Sequence, residues 1–179
     1  MKIAITGHSK GIGRALADVY ESRGHEIVGL SRTNGYNIKS IPKCADVIEP
    51  CDMFINNAQA GFAQTELLFE IFRRWKGQDK TIVSIGSQIT NYPCTTIDGL
   101  EEYWLQKNTL DQAHVQLRYL HRFPRLTLVK PGDIATQPEK TSPPSAPTVP
   151  WAMTLVNMLE QADPVLTVAD ISLGPRYDS

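Results

Sequence analysis

Thr6-Gly7-His8-Ser9-Lys10-Gly11-Ile12-Gly13 is the stretch whose reading decides the fold. Lys2 to Thr6, leading into it, is a short β-rich run. From Gly11 to Arg23 the pattern turns helical, with Ile12, Leu16, Val19 and Tyr20 on one side and Gly24 as a stop. Glycines spaced G-x-x-x-G-x-G at a strand-to-helix junction let the backbone pass close to a pyrophosphate, with the helix N-terminus facing the anion. As the first turn of a βαβ unit, the motif stands where such a function needs it.

The same rhythm continues along the chain. His25–Leu30, Asp52–Ile55, Thr81–Ile85 and Leu126–Val129 are short apolar runs between turns, as buried parallel strands are. An apolar strand is expected at Val165–Leu173. Between them, Thr65–Trp75 and Leu100–Arg122 have helical periodicity, and Trp151–Gln161 reads as a further helix. This alternation predicts a doubly wound α/β fold, its mostly parallel sheet covered by helices on both faces. Gln137–Pro150 holds Pro138, Pro143, Pro144, Pro147 and Pro150. That density excludes regular structure and predicts a surface loop, suited to a lid or substrate loop within a single domain spanning residues 1–179.

Composition narrows the function. The 179 residues carry 18 Lys+Arg against 19 Asp+Glu, a net charge of -1, with 41% apolar residues. Such a chain is long enough for one medium domain with a real core. It lacks the basic footprint of a nucleic-acid binder. Cys44, Cys51 and Cys94 fit no metal knuckle and read as idle thiols in a reducing compartment. His8, His25, His114 and His121 do not cluster at ligand spacing, so no metal is expected. Trp75, Trp104 and Trp151 read as packing residues, although Trp151 could also close over a substrate. The N-terminus has no secretory core, and no apolar run is long enough to cross a bilayer. The expectation is a cytoplasmic protein that meets neither membrane nor nucleic acid.

The second strand ends in Leu30-Ser31-Arg32-Thr33, without the acid that would hold a free ribose 2′-hydroxyl. Arg32, with Lys10 in the glycine turn, suits a 2′-phosphate instead, favouring NADP(H) over NAD(H). Tyr103 and Lys107 share one helix face four residues apart. An ammonium there is expected to lower the tyrosine pKa and fit it for proton exchange with a carbonyl or alcohol oxygen. Ser87 follows the strand Thr81–Ile85, at the edge where open α/β sheets bind ligands.

These residues, in this order, resemble the short-chain dehydrogenase/reductase family in its conventional branch. The likeness rests on Thr6 to Gly13, Asn56-Asn57-Ala58, Ser87, Tyr103 with Lys107, and Pro131-Gly132 with Thr136. It implies a Rossmann-type sheet of order 3-2-1-4-5-6-7. It also implies a homodimer or homotetramer, and NADPH-dependent reduction of a ketone or aldehyde, or the reverse. Tyr103 would then exchange the proton, Lys107 would tune it and bind the nicotinamide ribose, and Ser87 would polarise the carbonyl. Ser84 is a less well aligned alternative. Gly7, Ser9, Lys10, Gly11, Ile12, Gly13 and Arg32 would hold the phosphates. Asn57 and Ala58 would line the cofactor, and Asn37, in the brief third strand the likeness places at Gly35–Ile38, would stand near adenine. Pro131, Gly132 and Ile134 would touch the nicotinamide end, and Thr136 its carboxamide or the nearby phosphate.

The sequence departs from the family pattern in two places. Gln59 replaces the glycine of N-N-A-G, with Gly61 as the candidate for its shifted position. The helix Thr65–Trp75 lacks the asparagine of the family's proton relay, leaving Gln64, Thr65 or a water as substitutes. These departures motivate an alternative, an NADP(H)-binding sensor or scaffold of weak activity. An epimerase or dehydratase of the extended branch fits poorly. Against the family the chain is short, most visibly between Arg32 and Asn56. A reduced helical layer between strands 2 and 4 and a more open cleft are expected.

Overall fold

A computed structural model describes residues 1–94, 99–136, 145–161 and 168–175. In chain order the elements are β1 (Lys2–Thr6), α1 (Gly11–Ser22), β2 (Glu26–Leu30), α2 (Ile41–Ile48), β3 (Met53–Asn56), α3 (Ala63–Arg74), β4 (Thr81–Ile85), α4 (Glu101–Arg118), β5 (Arg125–Pro131), α5 (Thr148–Glu160) and β6 (Asp170–Leu173). Single 3-10 turns cover Arg32–Asn34 and Gln88–Asn91. All pairings are parallel, in one six-stranded sheet of order β2-β1-β3-β4-β5-β6.

Strand alternation divides the apolar residues between two faces. Ala4, Phe54, Ile82 and Leu128 point toward α2, α3 and α4, where Leu67, Leu68, Ile71, Trp75, Leu110 and Leu117 close the core. Ile3, Ile5, Ile55, Val83 and Val129 point the other way, onto Leu16 and Tyr20 of α1 and Trp151, Leu155 and Val156 of α5. The order reverses between β1 and β3, so the carboxyl ends of these strands border the crevice where doubly wound folds bind ligands.

The doubly wound α/β architecture is as expected, with one strand fewer. Gly35–Ile38 is not a strand. Ser31 and Asn34 cap each other across Arg32–Asn34, and Asn34 Nδ2 also donates to the Gly29 carbonyl at 2.8 Å. Gly35 then takes a left-handed conformation, φ 86°, and the chain turns under the sheet into α2 instead of extending beside β2. Two helices therefore cover one face and three the other. A second correction falls at the proline-rich stretch: Thr148, Val149 and Pro150 are already helical. Proline is tolerated in a first helical turn because its missing N–H would have no intrahelical partner there. Residues 137–144, the rest of the expected substrate loop apart from Ser145–Pro147, lie outside the described residues. So do residues 162–167, where the last strand was expected to begin. Trp151 is a core residue whose Nε1 donates to the Leu173 carbonyl at 2.9 Å. It is not free to close over a substrate.

Candidate active site

The glycine turn is held from below. The Thr6 hydroxyl accepts from the backbone N–H groups of Asn57 and Ala58 at 3.0 and 3.1 Å, and Asn57 Nδ2 donates to the Thr6 carbonyl at 2.9 Å. This knits the carboxyl ends of β1 and β3 together. Gly7 and Gly11 have φ of 72° and 56°, the left-handed region that suits glycine. A Cβ on Gly13 would lie 2.3 Å from the Gly7 carbonyl oxygen, so only glycine lets α1 start so close under the turn. Above it, the methyl-bearing side of Thr136 lies within 3.4 Å of where a Gly11 Cβ would be. The glycine turn and the segment after β5 therefore face each other.

Two cations border this crevice. Lys10 precedes α1 and Arg32 follows β2, both exposed and without a side-chain partner among the described residues. The His8 ring covers Gly29 so closely that a Cβ there would come within 2.3 Å of it. A narrow backbone cradle with free cations at its rim fits the phosphates of a dinucleotide.

Farther along the sheet edge, Ser87 follows β4 and its Oγ accepts from the Ile89 N–H at 3.2 Å. Its hydroxyl stands near the Tyr103 phenol of α4 and favours its ionised form. One turn later on α4, Lys107 is 3% exposed, with Nζ 5.7 Å from the Tyr103 ring centroid. The ammonium donates to Gln64 Oε1 and to the Ile85 carbonyl, both at 2.9 Å. Gln64, also 3% exposed, has Nε2 on the Asn56 and Ile85 carbonyls at 2.7 and 3.0 Å. A phenol, a hydroxyl and an ammonium thus converge at the carboxyl ends of β3 and β4. Such a set can hold and transfer a proton at a substrate oxygen.

Neither a protein-family model nor a curated protein sequence matches the chain. Solved structures do match. A short-chain dehydrogenase/reductase from Vibrio parahaemolyticus superposes with a TM-score of 0.78 at 18% identity, over 98% of this chain and 100% of that one. An alcohol dehydrogenase from Thermococcus sibiricus, complexed with 5-hydroxy-NADP, gives 0.76 at 15% identity, over 99% and 97%. A 3-alpha-hydroxysteroid dehydrogenase from Pseudomonas sp. B-0831, complexed with NADH, gives 0.72 at 18% identity, over 97% and 95%. The chain has the short-chain dehydrogenase/reductase fold.

Within that fold, several site residues behave differently from the sequence reading. Burial pushes the Tyr103 phenol above its usual range, and only the Ser87 hydroxyl opposes it. The expected lowering by Lys107 is absent, because the ammonium is turned into the protein. Burial brings Lys107 itself down to about 8, against the pull of Asp111. Asn37 is exposed, and its Oδ1 accepts from the Lys39 N–H at 3.0 Å within the turn that leads into α2. Asn57 points its amide at Thr6 and not outward. Ser84 is fully buried inside β4, its hydroxyl without a hydrogen-bond partner.

The two departures from the family pattern also resolve in space. Gln59 reaches across to hydrogen-bond Gln106 of α4, and Gly61 carries a positive φ of 61°. Of the candidates for the absent asparagine, Gln64 is the one that touches Lys107. Three residues beside the site carried no sequence signal strong enough to single them out: Thr90, Asp111 and Lys130. Asp111 had a faint one, since Tyr103, Lys107 and Asp111 recur every four residues along one face of α4.

Proposed function

We propose that the chain is an NADPH-dependent oxidoreductase of the short-chain dehydrogenase/reductase family, reducing a ketone or aldehyde to an alcohol, or running the reverse. The observation that carries this reading is the gathering of Ser87, Tyr103 and Lys107 at the sheet edge, with the Lys107 ammonium 5.7 Å from the centroid of the phenol ring. Neighbours of the same fold that carry NADH or 5-hydroxy-NADP support a nicotinamide cofactor.

The glycine turn would hold the pyrophosphate, with Ser9 and Ile12 beside it. Lys10 and Arg32 would pair with a 2′-phosphate. Pro131, Gly132, Ile134 and Thr136 would meet the other end of the molecule. When bound, the nicotinamide supplies the hydride for the carbonyl carbon. Tyr103 gives its phenolic proton to the carbonyl oxygen, where negative charge grows, and Ser87 donates a hydrogen bond to that same oxygen. The Lys107 ammonium holds the Gln64 amide and the Ile85 carbonyl in place behind the phenol ring. In the oxidative direction the proton returns along the same path.

The same reading makes the chain a single cytoplasmic domain that pairs with copies of itself through α3 and α4, whose Phe69 and Leu105 are exposed. One observation favours the second reading, an NADP(H)-binding sensor: two of the three Lys107 ammonium donors are already bonded to protein groups.

Turnover decides between the two. The purified protein should oxidise NADPH with at least one member of a panel of ketones, aldehydes and quinones. Tyr103→Phe should lower that rate by at least about a hundredfold, with NADPH affinity by fluorescence unchanged. Equal turnover in the variant overturns the mechanism. NADPH binding without turnover on the whole panel supports the sensor.

A further inference from the structure

Behind Ser87 lies a charged cluster that the reaction scheme does not use. Asp111, 6% exposed, sits on α4 one turn beyond Lys107. Its Oδ2 accepts from Lys130 Nζ at 2.7 Å and from the Thr90 hydroxyl at 2.6 Å. Lys130 Nζ also lies 3.0 Å from Thr90 Oγ1 and 3.4 Å from Asn91 Oδ1. Thr90 and Asn91 belong to the 3-10 turn that Ser87 caps, and Lys130 immediately precedes Pro131-Gly132. The carboxylate therefore ties α4, the serine turn and the end of β5 at one point.

Its second oxygen is different. Asp111 Oδ1 is buried without a partner and lies 3.3 Å from where a Cβ on Gly86 would be. It faces the Ile85–Ser87 backbone, the stretch whose Ile85 carbonyl accepts from Lys107. A buried carboxylate with a free lone-pair side is costly to keep unless it serves something. Here it stands near the least solvated cation of the site.

We propose that Asp111 is a positioning residue of the candidate active site, fixing the Ser87 turn against α4 and supplying the counter-charge to Lys107. The proposal rests on the reading of Ser87, Tyr103 and Lys107 as the reacting set. The surroundings of Lys107 leave few other sources of charge. From α3 it meets the neutral Gln64, from β4 a backbone carbonyl, and from its own helix Tyr103 and Asp111. Lys130 of β5 acts through its pair with Asp111, and His114, a turn beyond Asp111, is uncharged. Asp111 raises the Lys107 pKa against the effect of burial.

The experiment compares Asp111→Asn and Lys130→Met with the parent. Lys107 is titrated directly, by NMR of its 13C-labelled ε-methylene, assigned through its loss in Lys107→Arg. Removing the anion should move the Lys107 midpoint down by about one pH unit. Removing Lys130 leaves the anion unpaired and should move the midpoint up. For turnover, Asp111→Asn should lower kcat about tenfold at neutral pH with KM for NADPH within about twofold, and the pH–rate profile should follow the Lys107 midpoint. A role in folding alone predicts lower melting temperatures without opposite shifts. If neither variant moves Lys107, the inference is wrong, even where Tyr103→Phe is inactive. If Lys107 moves in both directions while Tyr103→Phe turns over normally, the inference stands for Lys107 and the catalytic reading falls.

Discussion

Replacing His114 by phenylalanine should make the protein markedly more resistant to acid. His114 lies on α4, 0% exposed, and neither ring nitrogen has a hydrogen-bond partner. Burial and the Arg118 guanidinium bring its pKa from 6.5 down to about 3, against the opposing pull of Asp170. The ring is therefore neutral in the folded protein throughout the ordinary range. In the unfolded chain it takes a proton below about pH 6.5. The folded state binds fewer protons between these two values, so stability is lost as pH falls through that window. Each unit corresponds to about 1.4 kcal/mol, so at pH 4.5 the loss from this one residue is about 2.7 kcal/mol. Phenylalanine has a similar shape, no proton to bind and no orphaned N–H, so at pH 7.5 the variant should lie within about 1 kcal/mol of the parent. Urea unfolding at pH 7.5, 6 and 4.5, with equal m-values, measures the difference. The Arg118–Asp170 pair is present in both proteins and cancels. Stability curves that run parallel from pH 7.5 to 4.5 would refute a buried neutral His114.

Two further predictions concern the site. Gln64→Leu removes one hydrogen bond to the buried ammonium and two to backbone carbonyls. It should cost about 2–4 kcal/mol in urea unfolding and push the Lys107 midpoint lower still, whereas Gln64→Glu should raise it. Arg32→Ala should weaken NADPH by about tenfold while leaving NADH within about twofold, because a guanidinium–phosphate pair is worth roughly 1.5–3 kcal/mol and only one cofactor has the phosphate. Fluorescence titration with both cofactors checks it, and equal weakening of the two would remove Arg32 from the phosphate site.

What the sequence made legible was local. The glycines that admit the close approach of β1 and α1 cannot be replaced, so they can be read directly: Gly13 has no room for a Cβ. The strands of a parallel sheet are apolar because both faces are covered, so β1, β3, β4 and β5 stand out. The strand at Gly35–Ile38 was implied by the family likeness and not by the local pattern. The outcome is set just before it, by Ser31 and Asn34 capping each other. Ser87, Tyr103 and Lys107 were legible as an ordered set, but the partners of Lys107 were not. Gln64 is separated from Lys107 by 43 residues, and Lys130 of β5 is separated from Thr90 by 40. Such pairings arise only when the sheet order is known. The direction of the Tyr103 shift was misjudged for the same reason, since spacing shows that an ammonium is near and not that it points away.

The missing strand bears on how a cofactor would be chosen. With Gly35–Ile38 turned away, β2 is the edge of the sheet, and an edge loop is normally the least constrained part of such a fold. This one is fixed by short-range bonds. Asn34 holds the Ser31 N–H at 2.8 Å through Oδ1 and the Gly29 carbonyl at 2.8 Å through Nδ2, and the Ser31 hydroxyl meets Thr33 at 2.7 Å. Every polar side chain in the turn is thereby engaged except Arg32. The arrangement places one unpaired guanidinium at a defined point beyond β2, beside a Gly29 that the His8 ring already covers. A chain that dispenses with a strand here can therefore still present a fixed cation to a phosphate. If Asn34 carries that function, Asn34→Ala should reduce the preference for NADPH over NADH nearly as much as Arg32→Ala does, without changing net charge. A preference left intact by Asn34→Ala would show that the guanidinium finds the phosphate by its own flexibility.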